Sequence, residues 1–367
     1  MMMTTSSSLP STTPNNNVDN DDDEALKQAL ISCPSIRLRN GRLHPAIGFG
    51  TYKVGFVPPS ASSASTTTTK SSPSTTSSSP PQRTAQECVL DALTVGYRCL
   101  ECAEFYGNQV QVGQAIQQSG IPREELFLCS KVWTTTIERG PQAIRDQFEQ
   151  TLRDLQTDYL DLYLIHWPVP YHHVVAYQTL QQIQQESPHK LRGIGVSNYA
   201  WEDYLELKEQ LTGSDSGTTT TTAFSPPLVN QIELNPFLYR RHTVQLFQKE
   251  GIVLQSYRSL RDGKSMDHPY LLQLAQIYHK TPAQILGRWC VQHGFIYFPK
   301  SIRKERMKEN AHVFDFELTP EHLQALDDNL TTPDAYETFQ QLYRKCVNRD
   351  TTRDGTMERV KYNITVD

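Results

Sequence analysis

Beyond residue 96 the chain alternates short, continuous apolar runs with longer stretches whose apolar residues recur every three or four positions. The runs fall at 97–102, 126–130, 160–165, 191–196, 228–232, 252–255 and 295–298, and an eighth precedes them at 46–50. Runs that are apolar on both faces predict strands of a parallel sheet covered on both sides. The intervening stretches predict amphipathic helices at 108–119, 141–156, 177–186, 201–211, 242–250 and, as a double segment, 268–292. Two more follow at 303–314 and 320–330. Thr84-Ala-Gln-Glu87 and Thr281-Pro-Ala-Gln284 read as capping boxes, and Gly96 and Gly294 stand where helices should stop. Upstream, 36–38 and 42–43 flank Asn40-Gly41 as a short hairpin. Eight strand–helix units predict an α/β fold closed into a (β/α)8 barrel, the TIM barrel, rather than a doubly wound sheet. Gly48-Phe-Gly50 and Gly193-Ile-Gly195 lack the third glycine of a dinucleotide turn, and the chain contains neither a P-loop nor H-E-x-x-H.

Composition removes parts of the chain from this picture. Of the 21 residues from 60 to 80, 16 are Ser or Thr, and the first 23 residues are mostly small, polar or acidic. Such stretches bury too little apolar surface to repay their ordering entropy. The expected layout is a disordered tail (1–34), a barrel (35–330) with low-complexity insertions at 58–83 and 213–227, and a C-terminal extension (331–367). A net charge of -5 offers no basic field for nucleic acid or an anionic membrane surface. No apolar run is long enough to span a membrane. Seven cysteines, an odd number, and an acidic run at 19–24 in place of a leader point to a cytoplasmic protein with reduced thiols, expected as a monomer. Cys99 and Cys102 sit three apart on a predicted strand and so face opposite ways, which argues against a bridge or a shared metal.

Active sites of such barrels lie at the C-terminal ends of the strands. Reading just past each run gives Thr51, Glu101, Lys131, His166, Ser197 with Asn198, Gln231, Tyr257, and Lys300 with Ser301. Any one of these could simply begin a loop; together they form a ring of polar and charged groups.

At this point the residues resemble the aldo-keto reductase family. Gly96-Tyr-Arg-Cys-Leu-Glu-Cys-Ala-Glu-Phe-Tyr-Gly-Asn108 is similar to its second strand and following loop. Leu160-Asp-Leu-Tyr-Leu-Ile-His-Trp-Pro168, Gly193-Ile-Gly-Val-Ser-Asn198, Asn230-Gln-Ile-Glu-Leu-Asn-Pro236 and the stretch from Phe298-Pro-Lys-Ser301 to Asn310 resemble its later signatures. The resemblance implies NADPH-dependent reduction of a carbonyl by a tetrad of Asp, Tyr, Lys and His. Tyr106, Lys131 and His166 match, and Glu101 stands where the family has Asp. Reduction needs a hydride and a proton, and a free tyrosine is a poor acid near neutral pH. A neighbouring ammonium, Lys131, is expected to lower the pKa of Tyr106, Glu101 to neutralise that lysine, and His166 to orient the carbonyl. Glu101 departs from the pattern by one methylene, which moves a carboxylate by roughly 1.5 Å.

For the cofactor the resemblance implies Ser197, Asn198 and Gln231 on the carboxamide and Tyr257 stacked on the nicotinamide. Lys300, Ser301 and Arg306 would lie around the 2′-phosphate, Glu309 and Asn310 near the adenine, and Thr51 at the first strand end. Two cations and a hydroxyl suit a phosphomonoester better than a ribose hydroxyl, which favours NADPH over NADH. Arg258-Ser259 replaces the family's Ser-Pro. Tyr52, Trp133 and Trp167, with His166, are candidate walls for a small-molecule carbonyl substrate. The segment from 168 to 177 is shorter than the family's loop and implies an open mouth. His172-His173 point apart with no third ligand nearby, so no metal site is expected. Two rivals remain: a cofactor-binding regulatory or scaffold protein, suggested by Glu101 and the polar insertions, and a metal-dependent hydrolase on the same barrel.

Overall fold

The computed structural model describes residues 16–55, 83–213 and 224–331, together with 341, 342 and 346. Most of both expected insertions and of the C-terminal extension lies outside these residues. A two-stranded hairpin, β1 (Ser35–Arg37) and β2 (Leu43–Pro45), precedes eight parallel strands. These are β3 (Phe49–Gly50), β4 (Cys99–Glu101), β5 (Phe127–Val132), β6 (Leu162–Ile165), β7 (Ile194–Ser197), β8 (Val229–Glu233), β9 (Val253–Tyr257) and β10 (Ile296–Tyr297). Each pairs with its sequence neighbour in the order β3 to β10. Ile47 bridges Tyr297 in parallel, and the Gly48 N–H donates to the Tyr297 carbonyl at 2.9 Å, so the first strand meets the last and the sheet closes. Gly48 is needed at this seam: a Cβ there would lie 2.5 Å from the Phe298 ring and 2.8 Å from Cys99 Sγ.

The helices are α1 (Asn16–Ile31), α2 (Ala85–Val95), α3 (Gln109–Ser119), α4 (Thr134–Glu138), α5 (Pro141–Asp154), α6 (His173–Glu186), α7 (Trp201–Thr212), α8 (Arg241–Lys249), α9 (Pro269–Tyr278), α10 (Pro282–Gln292), α11 (Lys304–Ala311) and α12 (Pro320–Asn329). Both expected capping boxes form, at Thr84 and Thr281. The double segment splits at His279, whose φ of 53° ends α9.

Two expectations are corrected and one helix is added. The tail expected to be disordered carries α1 within the described residues. Leu26 and Leu30, four apart on one helical face, are buried, and the α1 backbone packs on Gly96, where a Cβ would lie 2.9 Å from Lys27 Cα. Composition hid that apolar pair among acidic residues. Helix α6 begins at His173, not at Tyr177, which leaves the loop after β6 shorter still. Helix α4 was not expected, because the groups that hold its N-terminus come from another strand's loop.

Alternation along each strand decides what enters the barrel. On β5, Phe127 and Cys129 join an inner cluster with Cys99, Leu162, Leu164, Val229 and Ile296, while Leu128 and Val132 face the helices. The same period turns Lys131 inward one step nearer the C-terminal end, and Glu101 after Cys99. Cys99 falls in the inner cluster and Cys102 in the outer one, the opposite directions their spacing predicts, and both are free thiols. The hairpin closes the N-terminal end: Leu38 joins the inner cluster and the buried His44 ring lies 4.0 Å from that of Phe127.

Candidate active site

Glu101, Lys131 and Tyr106 meet at the C-terminal end of the barrel. Lys131 is fully buried and Glu101 only 4% exposed. Lys131 Nζ pairs with Glu101 Oε1 and donates to the Tyr106 hydroxyl at 2.9 Å and to the Cys102 carbonyl at 3.0 Å. The Tyr106 hydroxyl in turn donates to Glu101 Oε1 at 2.9 Å. A single carboxylate oxygen therefore receives both the ammonium and the phenol. A short 3₁₀ turn, Glu104–Tyr106, aims the phenol inward, with Gly107 closing it at a φ of 67°. Asn108 clamps this turn to the first strand's loop by donating to the carbonyls of Thr51 and Val54 at 2.9 and 3.1 Å.

Lys131, Glu101 and His166 are buried, whereas Tyr106 is half-buried and Tyr52 and Phe105 beside it are exposed. Burial pushes the Tyr106 phenol well above its usual pKa and the Lys131 ammonium well below. Burial thus works against the lowering of the Tyr106 pKa expected from the Lys131 ammonium. Burial first, and the Lys131 charge second, hold His166 well below the usual histidine range, so its imidazole is neutral. His166 Nδ1 is buried without a hydrogen-bond partner among the described residues.

Aromatic rings wall this centre. Tyr52 lies 5.1 Å from the Tyr106 ring, Phe105 stacks on Trp133 at 4.0 Å, and Trp133 meets His166 edge-on at 4.9 Å. Trp167 is buried. Phe105 and Glu104 were missed by the sequence reading, although both lie in the stretch between Glu101 and Tyr106. Glu104 accepts from the Trp133 N–H at 2.7 Å and from the Thr136 hydroxyl at 2.6 Å. Its carboxylate thus caps α4 from a distance and fixes Trp133.

Around the rest of the mouth, β7 to β9 carry linked polar groups. Asn198, at a left-handed φ of 62°, donates to the His166 carbonyl at 3.0 Å and accepts from the Tyr257 hydroxyl at 2.7 Å. A non-glycine residue held there marks a constrained site. The Ser197 hydroxyl donates to the Gln231 carbonyl at 2.8 Å, and the Gln231 side chain donates to Gln255 Oε1 at 3.1 Å. Thr51 is fully buried, its hydroxyl tied to the Glu101 carbonyl at 2.9 Å. Arg258 pairs with Glu233 at 3.0 Å and Asp262 at 3.1 Å, which commits the guanidinium that replaces the family's serine. After β10, Ser301 accepts from the Arg303 N–H at 3.0 Å, turning the chain into α11. Lys300 and Arg306 are exposed and Asn310 is buried. Among the described residues no group of three or more His, Cys, Asp or Glu could hold a metal ion, and no described helix is long and apolar enough to cross a membrane.

Comparison with known proteins agrees with this geometry. The family model described as "Aldo/keto reductase family" matches residues 68–330. A Bacillus subtilis glyoxal reductase is 37% identical over 293 residues, 80% of this chain and 91% of its own length. An uncharacterized oxidoreductase of the same organism, YtbE, is 39% identical over 249 residues, 66% of this chain and 83% of its own. Among solved structures, a Schistosoma japonicum aldose reductase superposes with a TM-score of 0.68 at 27% identity, covering 86% of this chain and 99% of its own. A Bombyx mori aldo-keto reductase in complex with NADP does so with a TM-score of 0.65 at 26% identity, covering 83% and 97%. The chain belongs to the aldo/keto reductase family and is an oxidoreductase.

Proposed function

We propose that this protein reduces aldehydes or ketones to alcohols with NADPH, Tyr106 delivering the proton. The observation that carries the reading is the Tyr106 hydroxyl held at 2.9 Å by both Lys131 and Glu101, with His166 beside it, inside a barrel mouth. The dinucleotide supplies the hydride; the protein's own groups position the carbonyl and handle the proton. His166, neutral, is suited to donate a hydrogen bond to the carbonyl oxygen and favour the charge that develops there. Tyr106 is the acid within reach of that oxygen.

The residues fit the cofactor. Lys300 and Arg306 are exposed cations with no ion pair to any described carboxylate, flanking Ser301, which suits the 2′-phosphate. Ser197, Asn198 and Gln231 would hold the carboxamide, Tyr257 the nicotinamide ring, Glu309 and Asn310 the adenine, with Thr51 bracing the first strand end. The Bombyx mori likeness, solved with NADP, supports the same choice. Tyr52, Phe105 and Trp133 form an apolar wall that favours planar or aromatic aldehydes. The likeness to a glyoxal reductase adds small dicarbonyls to the candidates.

The test follows NADPH absorbance with glyoxal, methylglyoxal and a set of aromatic aldehydes, beside Tyr106→Phe. Turnover by the wild type and a loss of about 100-fold or more in the variant are expected, the usual scale of a general acid. NADPH binding without turnover on any carbonyl would overturn the reading in favour of a binding protein.

A further inference from the structure

Tyr106 accepts a hydrogen bond from Lys131 and donates its own hydrogen to Glu101 Oε1. That second bond depends on the length of the side chain at 101. Aspartate would end roughly 1.5 Å earlier, enough to keep an ion pair with the flexible lysine but not a 2.9 Å bond to the phenol. The geometry has a consequence for the proton. If Tyr106 gave up its proton and stayed ionised, its oxygen would carry negative charge 2.9 Å from a carboxylate oxygen, with the single Lys131 ammonium to offset both charges. Like charges at that separation and in low dielectric repel strongly. The proton has to be replaced as it leaves.

We infer that Glu101 is a catalytic residue in its own right, the far end of a two-proton relay through Tyr106. The inference rests on the proposed reaction. It is most easily written in the direction of alcohol oxidation, for which the observed hydrogen bonds are already aligned. A bound oxidised dinucleotide would take the hydride, with its two electrons, from the carbinol carbon, whose C–H bond breaks as the C=O double bond forms. The alcohol O–H breaks and its proton binds the Tyr106 oxygen. The original Tyr106 O–H breaks along its existing hydrogen bond, and its proton binds Glu101 Oε1, which ends the step as a neutral acid. Reduction is the reverse and starts from neutral Glu101, which takes up one proton from solvent in each turnover: Glu101 gives a proton to Tyr106 as Tyr106 gives one to the substrate. Lys131, touching both oxygens, balances the carboxylate whenever that charge is present. Tyr106 never stands as a phenolate beside an ionised Glu101.

Two variants separate length from basicity. Glu101→Asp keeps the charge opposite Lys131 but withdraws from Tyr106; Glu101→Gln keeps the reach but cannot take a proton. The main experiment measures kcat/KM for aldehyde reduction across mixtures of H2O and D2O. A wild-type dependence that curves, as two protons in flight require, is expected, becoming linear in Glu101→Asp with a fall of about 10- to 100-fold, part of the usual general acid–base contribution. A second readout needs neither cofactor nor turnover. In the free protein, the Tyr106 hydroxyl proton, identified by its absence in Tyr106→Phe, should give a slowly exchanging, downfield NMR signal that is lost or shifted upfield in Glu101→Asp. A linear wild-type dependence with full reductase activity would overturn the relay and leave the proposed function standing. Absence of reductase activity would overturn the function, and the relay with it. An unchanged hydroxyl signal in Glu101→Asp would overturn the relay whatever the kinetics of the variants.

Discussion

The two ends of the barrel solve the same problem differently. At the C-terminal end, Glu101 and Lys131 form a buried ion pair joined to the half-buried Tyr106. Toward the N-terminal end, the His44 ring donates from Nδ1 to the Pro45 carbonyl at 2.8 Å and accepts at Nε2 from Gln255 at 2.9 Å, and Gln255 accepts from Gln231 at 3.1 Å. That second chain is wholly neutral, and burial lowers the His44 pKa to about 4. Where a buried group has no opposite charge, it sheds its own and lives on hydrogen bonds. A buried charge is kept only where a counter-charge is paid out beside it, and here that is where chemistry is proposed. Fixed polarity in a barrel core therefore does not by itself mark the active end; an ion pair joined to a phenol does.

The largest effect should follow from breaking the charged end. Lys131→Met leaves Glu101 buried with no cation, and loss of one partner of a buried pair costs on the order of 3–5 kcal/mol. Urea denaturation at neutral pH should show that loss, together with near-complete loss of reductase activity. A variant as stable as the wild type would mean that Glu101 is already neutral in the native state.

The neutral end should respond to pH instead. An unfolded histidine titrates near 6.5, whereas His44 in the native barrel does so at about 4. Between those values the unfolded chain binds the extra proton and the folded one does not, so stability is fully present above about pH 6.5 and is lost as pH falls toward 4. The shift is worth on the order of 3 kcal/mol. His44→Gln should flatten that part of the stability profile measured from pH 7 to pH 4. If both proteins lose stability in parallel, His44 does not control the window.

The smallest effect is expected at the exposed rim. Arg306→Ala removes a cation with no described ion partner, so unfolding should be unchanged within a few tenths of a kcal/mol, as is usual for exposed positions. NADPH affinity should nevertheless fall by roughly 10- to 150-fold, the equivalent of one charge-assisted hydrogen bond of about 1.5–3 kcal/mol, while NADH affinity stays the same. Fluorescence titration with both dinucleotides checks this. Equal losses for the two would remove Arg306 from the 2′-phosphate.

The eight strands were legible because parallel barrel strands are apolar on both faces, and β4 to β10 all fall within or at the edge of their runs. The ring of polar strand ends was legible for the related reason that the last inward position of each strand meets the mouth rather than the core. Short and borrowed elements were not legible. Helix α4 depends on Glu104 from another loop, and α1 depends on a face offered by α2. Neither leaves a periodic signal of its own that outweighs the surrounding polar residues.

The sequence by itself determined the barrel, the inward direction of Glu101 and Lys131, and the identities of the groups at the mouth, because strand periodicity and side-chain chemistry are local. Only the tertiary structure decided how those groups share protons. That Glu101 reaches Tyr106 as well as Lys131 depends on the distance between β4, β5 and the turn that follows β4. How far burial of the Tyr106 phenol opposes the effect of Lys131 depends on how the turn after β4 seats that ring at the mouth. Distances across strands and dielectric surroundings belong to the assembled barrel, and no residue-by-residue pattern encodes them.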